Sequence, residues 1–403
     1  MLNNIKKYFP WFKHNPGWTY LDSSATALKP QCVIDEVNQY YVKYGTNPHN
    51  NDSSIAFALN KKMNDCRKNV ASFFNANEKE IVFTSGATES LNIIITNIIR
   101  LLKKGDEVIV SYGEHSSNLV PWLMASKIKD FKLVFAKDDK NFPTEKAFVN
   151  SITKKTKVIS LNTTNSLFGF SFNINNIVKA ARKINKDIII IVDGTQTVPS
   201  QGLNFKATDI DFFACSSHKL CGPNGVGILC GKSKYLNDFM PLKFGGGTIS
   251  EIKDWEPAFA PIPERLEGGT PNVEGILGFS KAFDFLKKIG LNNIMKHEKE
   301  LKKYIDFKLK NIPNLDYPSY GTDFPICSFN IKGVSPQDLA NYLGNKKIIV
   351  RGGMSCVKMI GKFGSIQGYV RASFYLYNDK KDVDTLVRAL KSYKRGAELN
   401  SII

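Results

Sequence analysis

Between Glu80 and Leu229 short apolar runs alternate with helix-length segments, and several of the runs stop at a polar residue. The strand-like runs are Glu80–Thr84, Val108–Val110, Val158–Leu161, Ile188–Val192, Phe212–Ala214 and Val226–Leu229. Ala87 to about Leu102 and Val178 to Ile184 read as helices between them. Five consecutive apolar residues from Ile188 to Val192 cannot belong to a sheet with one wet face. They call for a strand covered on both sides, as in a mostly parallel α/β sheet. In such sheets ligands bind beyond the carboxyl ends of the strands. Thr84, Asp193 and Lys219 all fall at or just past such ends.

After about residue 280 the texture changes. Lys281–Ile289, Ile294–Leu309 and Asp382–Tyr393 read as amphipathic helices, and Ile326–Ile331 and Tyr369–Phe374 as strands. This predicts a large α/β domain over 20–280 and a smaller α+β domain formed by 1–19 and 281–403. Glycine and proline cluster between residues 241 and 275, which reads as a long functional loop on the large domain.

The 403 residues, 42% hydrophobic and 23% charged, suffice for a large core. The net charge is +18, but pairs such as Lys103-Lys104 and Lys346-Lys347 are scattered. No basic tract carries the interleaved aromatics of a nucleic-acid groove, so a solvated lysine surface is expected and no nucleic-acid partner. Seven cysteines without a CxxC pair or a histidine at ligand spacing read as reduced thiols, with no metal site. The first residues lack the apolar core of a signal peptide, and no apolar stretch reaches spanning length. The expectation is a cytoplasmic protein with no membrane partner.

Asp193 and Lys219 suit pyridoxal 5'-phosphate. A lysine amine forms a Schiff base with the cofactor aldehyde, and a carboxylate keeps the pyridine nitrogen protonated. Both residues would equally suit ordinary turns, since Asp193 precedes Gly194 and Lys219 precedes the Gly222–Gly225 turn. Thr84-Ser-Gly-Ala-Thr88 places a glycine turn before a helix, which fits a phosphate at the helix N-terminus with the Thr88 hydroxyl as a further donor. A capped helix start, with Ser85 or Thr88 as the cap, reads the same way. His115 lies just past a strand, where an imidazole can stack on a flat ring and carry protons. Cys356 sits in Arg351-Gly-Gly-Met-Ser-Cys356, a setting that suits an exposed, nucleophilic thiol of lowered pKa. Arg371, projecting from a strand, can clamp a carboxylate with two hydrogen bonds.

Together these residues resemble the fold-type I, class V aminotransferase-like family, and within it the group II (SufS-type) cysteine desulfurases. The resemblance runs from Tyr20-Leu-Asp-Ser-Ser-Ala-Thr26 through Glu114-His115, Asn118-Leu-Val-Pro-Trp122, Asp193-Gly-Thr-Gln196 and Ser217-His-Lys-Leu-Cys-Gly-Pro223. It continues through Gly245-Gly-Gly247, Glu267-Gly-Gly-Thr-Pro-Asn272 and Arg371-Ala-Ser-Phe-Tyr-Leu-Tyr-Asn378. It implies a mostly parallel seven-stranded sheet and pyridoxal phosphate bonded to Lys219. Asp193 would pair with the pyridine nitrogen, Gln196 would reach the ring hydroxyl, and His115 would stack on the ring. Thr88, Ser216 and His218 would bind the phosphate, joined by Thr270 from the second subunit of a homodimer. Asn165 and Arg371 would orient the substrate. Cys356 would take its sulfur as a persulfide, with Arg351 on the same loop.

The implied reaction converts L-cysteine to L-alanine and passes sulfur to a scaffold or carrier of the SufU/SufE type for iron–sulfur cluster assembly. L-Selenocysteine lyase activity, or another class V lyase or aminotransferase reaction, stands as the alternative. Three segments depart from the family pattern. Ala87 replaces a second threonine and removes one phosphate donor. His49-Asn-Asn-Asp-Ser53 replaces His-Arg-Gly-x-His, and Met354-Ser355 replaces His-His before the cysteine.

Overall fold

The computed structural model describes residues 2, 4–48, 50–138, 142–363, 368–394 and 396, with the side chains of 360 and 363 excepted. His49, one of the departures from the family pattern, lies outside the described residues.

A seven-stranded sheet forms the centre. From edge to edge its strands are Ile81–Thr84, Gly227–Gly231, Phe212–Ser216, Ile189–Asp193, Thr156–Asn162, Glu107–Val110 and Lys132–Phe135. Only Gly227–Gly231 runs against the rest. The sheet is buried on both faces, and the alternation of side chains shows it directly. Ile190 and Val192 enter one apolar cluster with Phe213, Cys215 and Ile109. Ile189 and Ile191 enter the other with Phe212, Ala214, Val108 and Val110. Each fully buried isoleucine contributes about 2 kcal/mol relative to an exposed one, which is why a slip of one residue along this strand is not tolerated.

Helix Ala87–Ile98 and helix Ser116–Ile128 pack together on the second face. The latter contains Pro121, which hides it from a helix-pattern reading, and is anchored by the fully buried Trp122. Helix Ser54–Phe74 and helix Val273–Ile289 cover the first face. Helix Val273–Ile289 runs unbroken through residue 280, where the sequence pattern changes. The glycine- and proline-rich stretch is not wholly a loop. It contains a hairpin of Ile249–Lys253 with Glu256–Phe259. The first of these strands is mostly exposed, so it carries no apolar run to mark it.

A second, antiparallel sheet has the order Leu315–Asp316, Ile326–Ile331, Tyr369–Ser373, Arg351–Gly353. Its core includes Phe329, Leu339, Val370, Leu386 and, from the far end of the chain, Leu21. Leu21 arrives there because Thr19–Tyr20 pairs in parallel with Ile348–Ile349. Among the described residues no helix is long and apolar enough to cross a membrane.

Candidate active site

A cavity of about 240 Å³, lined mostly by polar side chains, lies at the carboxyl ends of the central strands. Asp193, Asn162 and Ser216 are the last residues of three adjacent strands, and all three line it. Lys219 follows on the single turn Ser217–Lys219. The register Asn162↔Asp193↔Ala214 fixes their spacing across the sheet.

Lys219 is half-buried, and desolvation pulls its pKa down to about 8 despite the opposing charge of Asp193; Arg371 lowers it further. Asp193 is buried, and its Oδ1 accepts a hydrogen bond from Thr195 N at 3.0 Å. His218 also lines the cavity, with its pKa lowered to about 4 by burial and then by Lys219 and Lys29. It is therefore neutral at pH 7. Gln196 sits at the rim and donates through Nε2 to Ser24 O at 3.0 Å.

The start of helix Ala87–Ile98 forms one side of the cavity. Its N-cap is Gly86, with no side-chain cap, so the capped-start reading through Ser85 or Thr88 does not hold; Ala87 N is taken by Ser216, and the N–H groups that follow it in the first turn have no intrahelical partner and suit an anion. Ser216 Oγ accepts from Ala87 N at 2.8 Å, which locks the turn to the sheet. Gly227 makes this approach possible, because a Cβ there would lie 2.5 Å from Gly86 Cα. Thr88 Oγ1 is 2.7 Å from Ser117 Oγ, and both residues line the cavity. Ser117 escaped the sequence reading. Its hydroxyl lies between Thr88 Oγ1 and His115 Nδ1, on the cavity that Ala87 also lines.

His115 lines the cavity as the N-cap of helix Ser116–Ile128. Its Nδ1 accepts from Ser117 N at 3.1 Å, which assigns the ring proton to Nε2. Burial, and then Lys219, lowers its pKa. Beneath it Glu114 is fully buried, and burial raises its pKa to about 7. Its carboxyl receives Ser111 Oγ at 2.7 Å, Asn118 Nδ2 at 2.8 Å and Asn162 N at 2.7 Å. Glu114 thus ties the His115 turn to the sheet.

The opposite wall comes from the second sheet. Arg371 and Arg351 are directly paired across neighbouring strands, and both line the cavity with Cys356. Arg371 is buried. Its Nη2 donates to Asp22 Oδ1 and its Nη1 to Ser166 O, each at 2.9 Å, while Nε is buried without a partner. Two edges are held and donors remain for a carboxylate. Cys356 is half-buried rather than exposed, and it is a free thiol.

Two expected residues stand apart. Asn165 is buried, but its amide is spent on backbone: Nδ2 donates to Gly113 O, and Oδ1 accepts from Leu167 N and Phe168 N. The neighbouring Ser166 lines the cavity instead. Thr270 is exposed and lines a separate pocket of about 120 Å³ with Ser85, Glu89 and Lys243. A third, small chamber of about 30 Å³ shares Ser24, Gln196 and Lys219 with the main cavity and is closed by Ser200, Tyr375 and Glu298. Burial raises Glu298 to about 8.

The family model for class-V aminotransferases matches residues 19–386. The chain belongs to this family. Relatives of this class V chain include a probable cysteine desulfurase of Ureaplasma parvum, 44% identical over the full length of both proteins. Another, from Mycoplasma genitalium, is 34% identical over all of this chain and 97% of its own. Among solved structures, the cysteine desulfurase CsdA of Escherichia coli, as its S-sulfonic acid, superposes with a TM-score of 0.89. It is 31% identical and both chains are fully covered. Apo cysteine desulfurase from Thermococcus onnurineus gives a TM-score of 0.90 at 30% identity, with 96% of each chain covered. The class V fold is thus that of the pyridoxal-phosphate enzymes, and the sheet expected for it is the one observed.

Proposed function

We propose that this protein is a pyridoxal 5'-phosphate-dependent cysteine desulfurase that takes sulfur from L-cysteine onto Cys356 and releases L-alanine. The observation that carries the reading is the meeting of Lys219, Asp193, Arg371 and Cys356 on one cavity. A half-buried amine, a buried carboxylate, a carboxylate clamp and a thiol are the four groups the reaction needs. The uncapped helix start beside Thr88, Ser216 and His218 fits a phosphate, which supports the cofactor itself.

The cofactor supplies an aldehyde for an amino group and a ring that draws electrons from the carbon beside it. Lys219 would anchor it, and its amine would take and return the proton at substrate Cα. Its lowered pKa puts a useful fraction of the amine in the neutral form near neutrality. Asp193 would hold the pyridine nitrogen protonated, and Gln196 would hold the ring hydroxyl. His115, with its proton on Nε2, would face the ring. Thr88, Ser216 and His218 would bind the phosphate, and the Ser117 hydroxyl would join them where Ala87 contributes none. Arg371 binds the substrate carboxylate, aided by Arg351. Asn165 shapes the turn that delivers Ser166 to the substrate. The Cys356 thiolate attacks the substrate sulfur: an S–S bond forms as Cβ–S breaks, and the substrate carbon leaves as alanine after protonation.

The wider setting belongs to the same proposal. The enzyme works in the cytoplasm as a homodimer in which Thr270 reaches the phosphate of the other subunit. Residues 20–280 form the cofactor domain, and 1–19 with 281–403 form the domain that carries the cysteine. The persulfide passes to an acceptor of the SufU/SufE type for iron–sulfur cluster assembly. The test is product analysis of the cofactor-loaded protein with L-cysteine and with L-selenocysteine. Alanine should form from L-cysteine with sulfur retained on the protein. Cys356→Ala should keep the visible absorbance of the bound cofactor and stop alanine formation. Undiminished desulfuration by that variant removes Cys356 from the mechanism, and turnover of selenocysteine alone reassigns the substrate.

A further inference from the structure

Ser116 does not line the cavity, and no step above uses it. Yet it makes a double polar contact between the two walls of the site. Its backbone N donates to Cys356 O at 3.0 Å and its hydroxyl donates to the same oxygen at 2.8 Å. The carbonyl it grips belongs to an unusual segment. Ser355 and Cys356 have φ of 45° and 64°, two consecutive non-glycine residues in the left-handed region. Side chains rarely adopt that conformation, and a pair of them persists only where the surroundings over-determine it.

Two such constraints flank the thiol. Val357 is fully buried against Leu167 and Phe168, which pins the segment on its far side. Ser116 pins it at Cys356 itself. We propose that Ser116 is the positioning residue of the sulfur-accepting loop, holding the Cys356 carbonyl with two donors so that the thiol stays on the cavity wall.

The placement of Ser116 makes this more than a local bond. It is the first residue of helix Ser116–Ile128, whose N-cap is His115. Through Glu114 and Asn162 that helix start is tied to the central sheet. One dipeptide, His115-Ser116, therefore faces the cofactor pocket with its first side chain and holds the nucleophile's backbone with its second. The distance between thiol and reacting centre is set by the helix start, and the flexibility of the Gly352-Gly353 approach matters less. Positioning of this kind acts on rate, because displacement of a reacting atom by about 1 Å is felt in the chemical step.

The proposal rests on Cys356 as the nucleophile for its kinetic half only; its other half reads the thiol directly. Two variants, Ser116→Ala and Ser116→Thr, are compared with the wild type in the cofactor-loaded protein. One arm measures the rate of Cys356 alkylation by iodoacetamide, and the other kcat and KM for alanine formation from L-cysteine. Loss of one neutral hydrogen bond corresponds to a factor of about 3 to 10. Ser116→Ala should speed alkylation and lower kcat by such factors, with KM and cofactor absorbance unchanged. Ser116→Thr, which keeps the hydroxyl, should restore both. Alkylation unchanged in Ser116→Ala overturns the proposal. So does a fall in kcat that comes with lost cofactor absorbance and no rescue by threonine, which marks general damage. If the wild type forms no alanine, the functional reading fails, and the alkylation arm still decides whether Ser116 holds the loop.

Discussion

The two walls of the cavity are built in opposite ways. Asp193, Asn162 and Ser216 end strands buried on both faces, with about 2 kcal/mol behind each apolar side chain and neighbours fixed by parallel register. Cys356 rides on a segment with left-handed backbone beside an edge strand of the smaller sheet. The first wall is placed by bulk burial, the second by a few hydrogen bonds and one buried valine. Chemistry that needs an immobile cofactor and a sulfur that must leave the site afterwards is well served by that division.

The sharpest way to break the comparison is at the floor. Lys219→Ala should reduce alanine formation to background and abolish the visible absorbance of the loaded protein, whereas Cys356→Ala should spare the absorbance. Equal spectra for the two variants would erase the distinction between the walls. Next is Arg371→Lys, which keeps the charge and loses the fork. We expect KM for L-cysteine to rise by roughly 100-fold with cofactor binding intact; a change in cofactor affinity instead would place Arg371 with the floor. A smaller effect is expected from Gly227→Ala. The added Cβ meets Gly86 backbone at 2.5 Å and Cys215 O at 2.7 Å, and neither atom belongs to a side chain that can move aside. Thermal unfolding should show a loss of about 2 kcal/mol, accompanied by weaker cofactor retention in equilibrium dialysis.

The smallest effect on activity, though not on stability, concerns Glu298, which lines the small chamber beside Lys219. Its pKa is near 8 in the folded protein against an ordinary 4.5. Between those values the folded state keeps a proton that the unfolded chain has released, so this group makes folding less favourable as pH rises from 4.5 to 8. Glu298→Gln should therefore gain stability relative to wild type across that window, with a slope approaching about 1.4 kcal/mol per pH unit in denaturant titrations. A pH-independent difference would mean that the carboxyl ionises freely.

The contrast between the walls also governs what the sequence disclosed. Asp193 was legible because burial on both faces writes an uninterrupted apolar run up to it, and Lys219 because a similar run ends at Cys215, shortly before it. The edge strand Lys132–Phe135 is only partly buried, and its short run Leu133–Ala136 carries no polar site residue at its end to draw attention to it. Helix Ser116–Ile128 was masked by Pro121. Ser117, Glu114 and Asp22 act through contacts with residues distant in the chain, and no local spacing announces those. Asn165 was named for a substrate role, but the structure commits its amide to three backbone groups, a demand visible only once the turn is folded. Thr270 could be named from its motif, while its place in the exposed pocket depends on how the 241–275 stretch folds.

The bond from Arg371 to Asp22 spans 349 positions of the chain. Synthesis proceeds from residue 1 onward, so the nascent protein can complete its central sheet long before it owns a carboxylate clamp. An early fragment that captured the cofactor would hold an electron-withdrawing ring without the groups that choose its substrate. Because the proposed clamp joins a segment made before the central sheet to one made after it, specificity arrives only once Arg371 has been added.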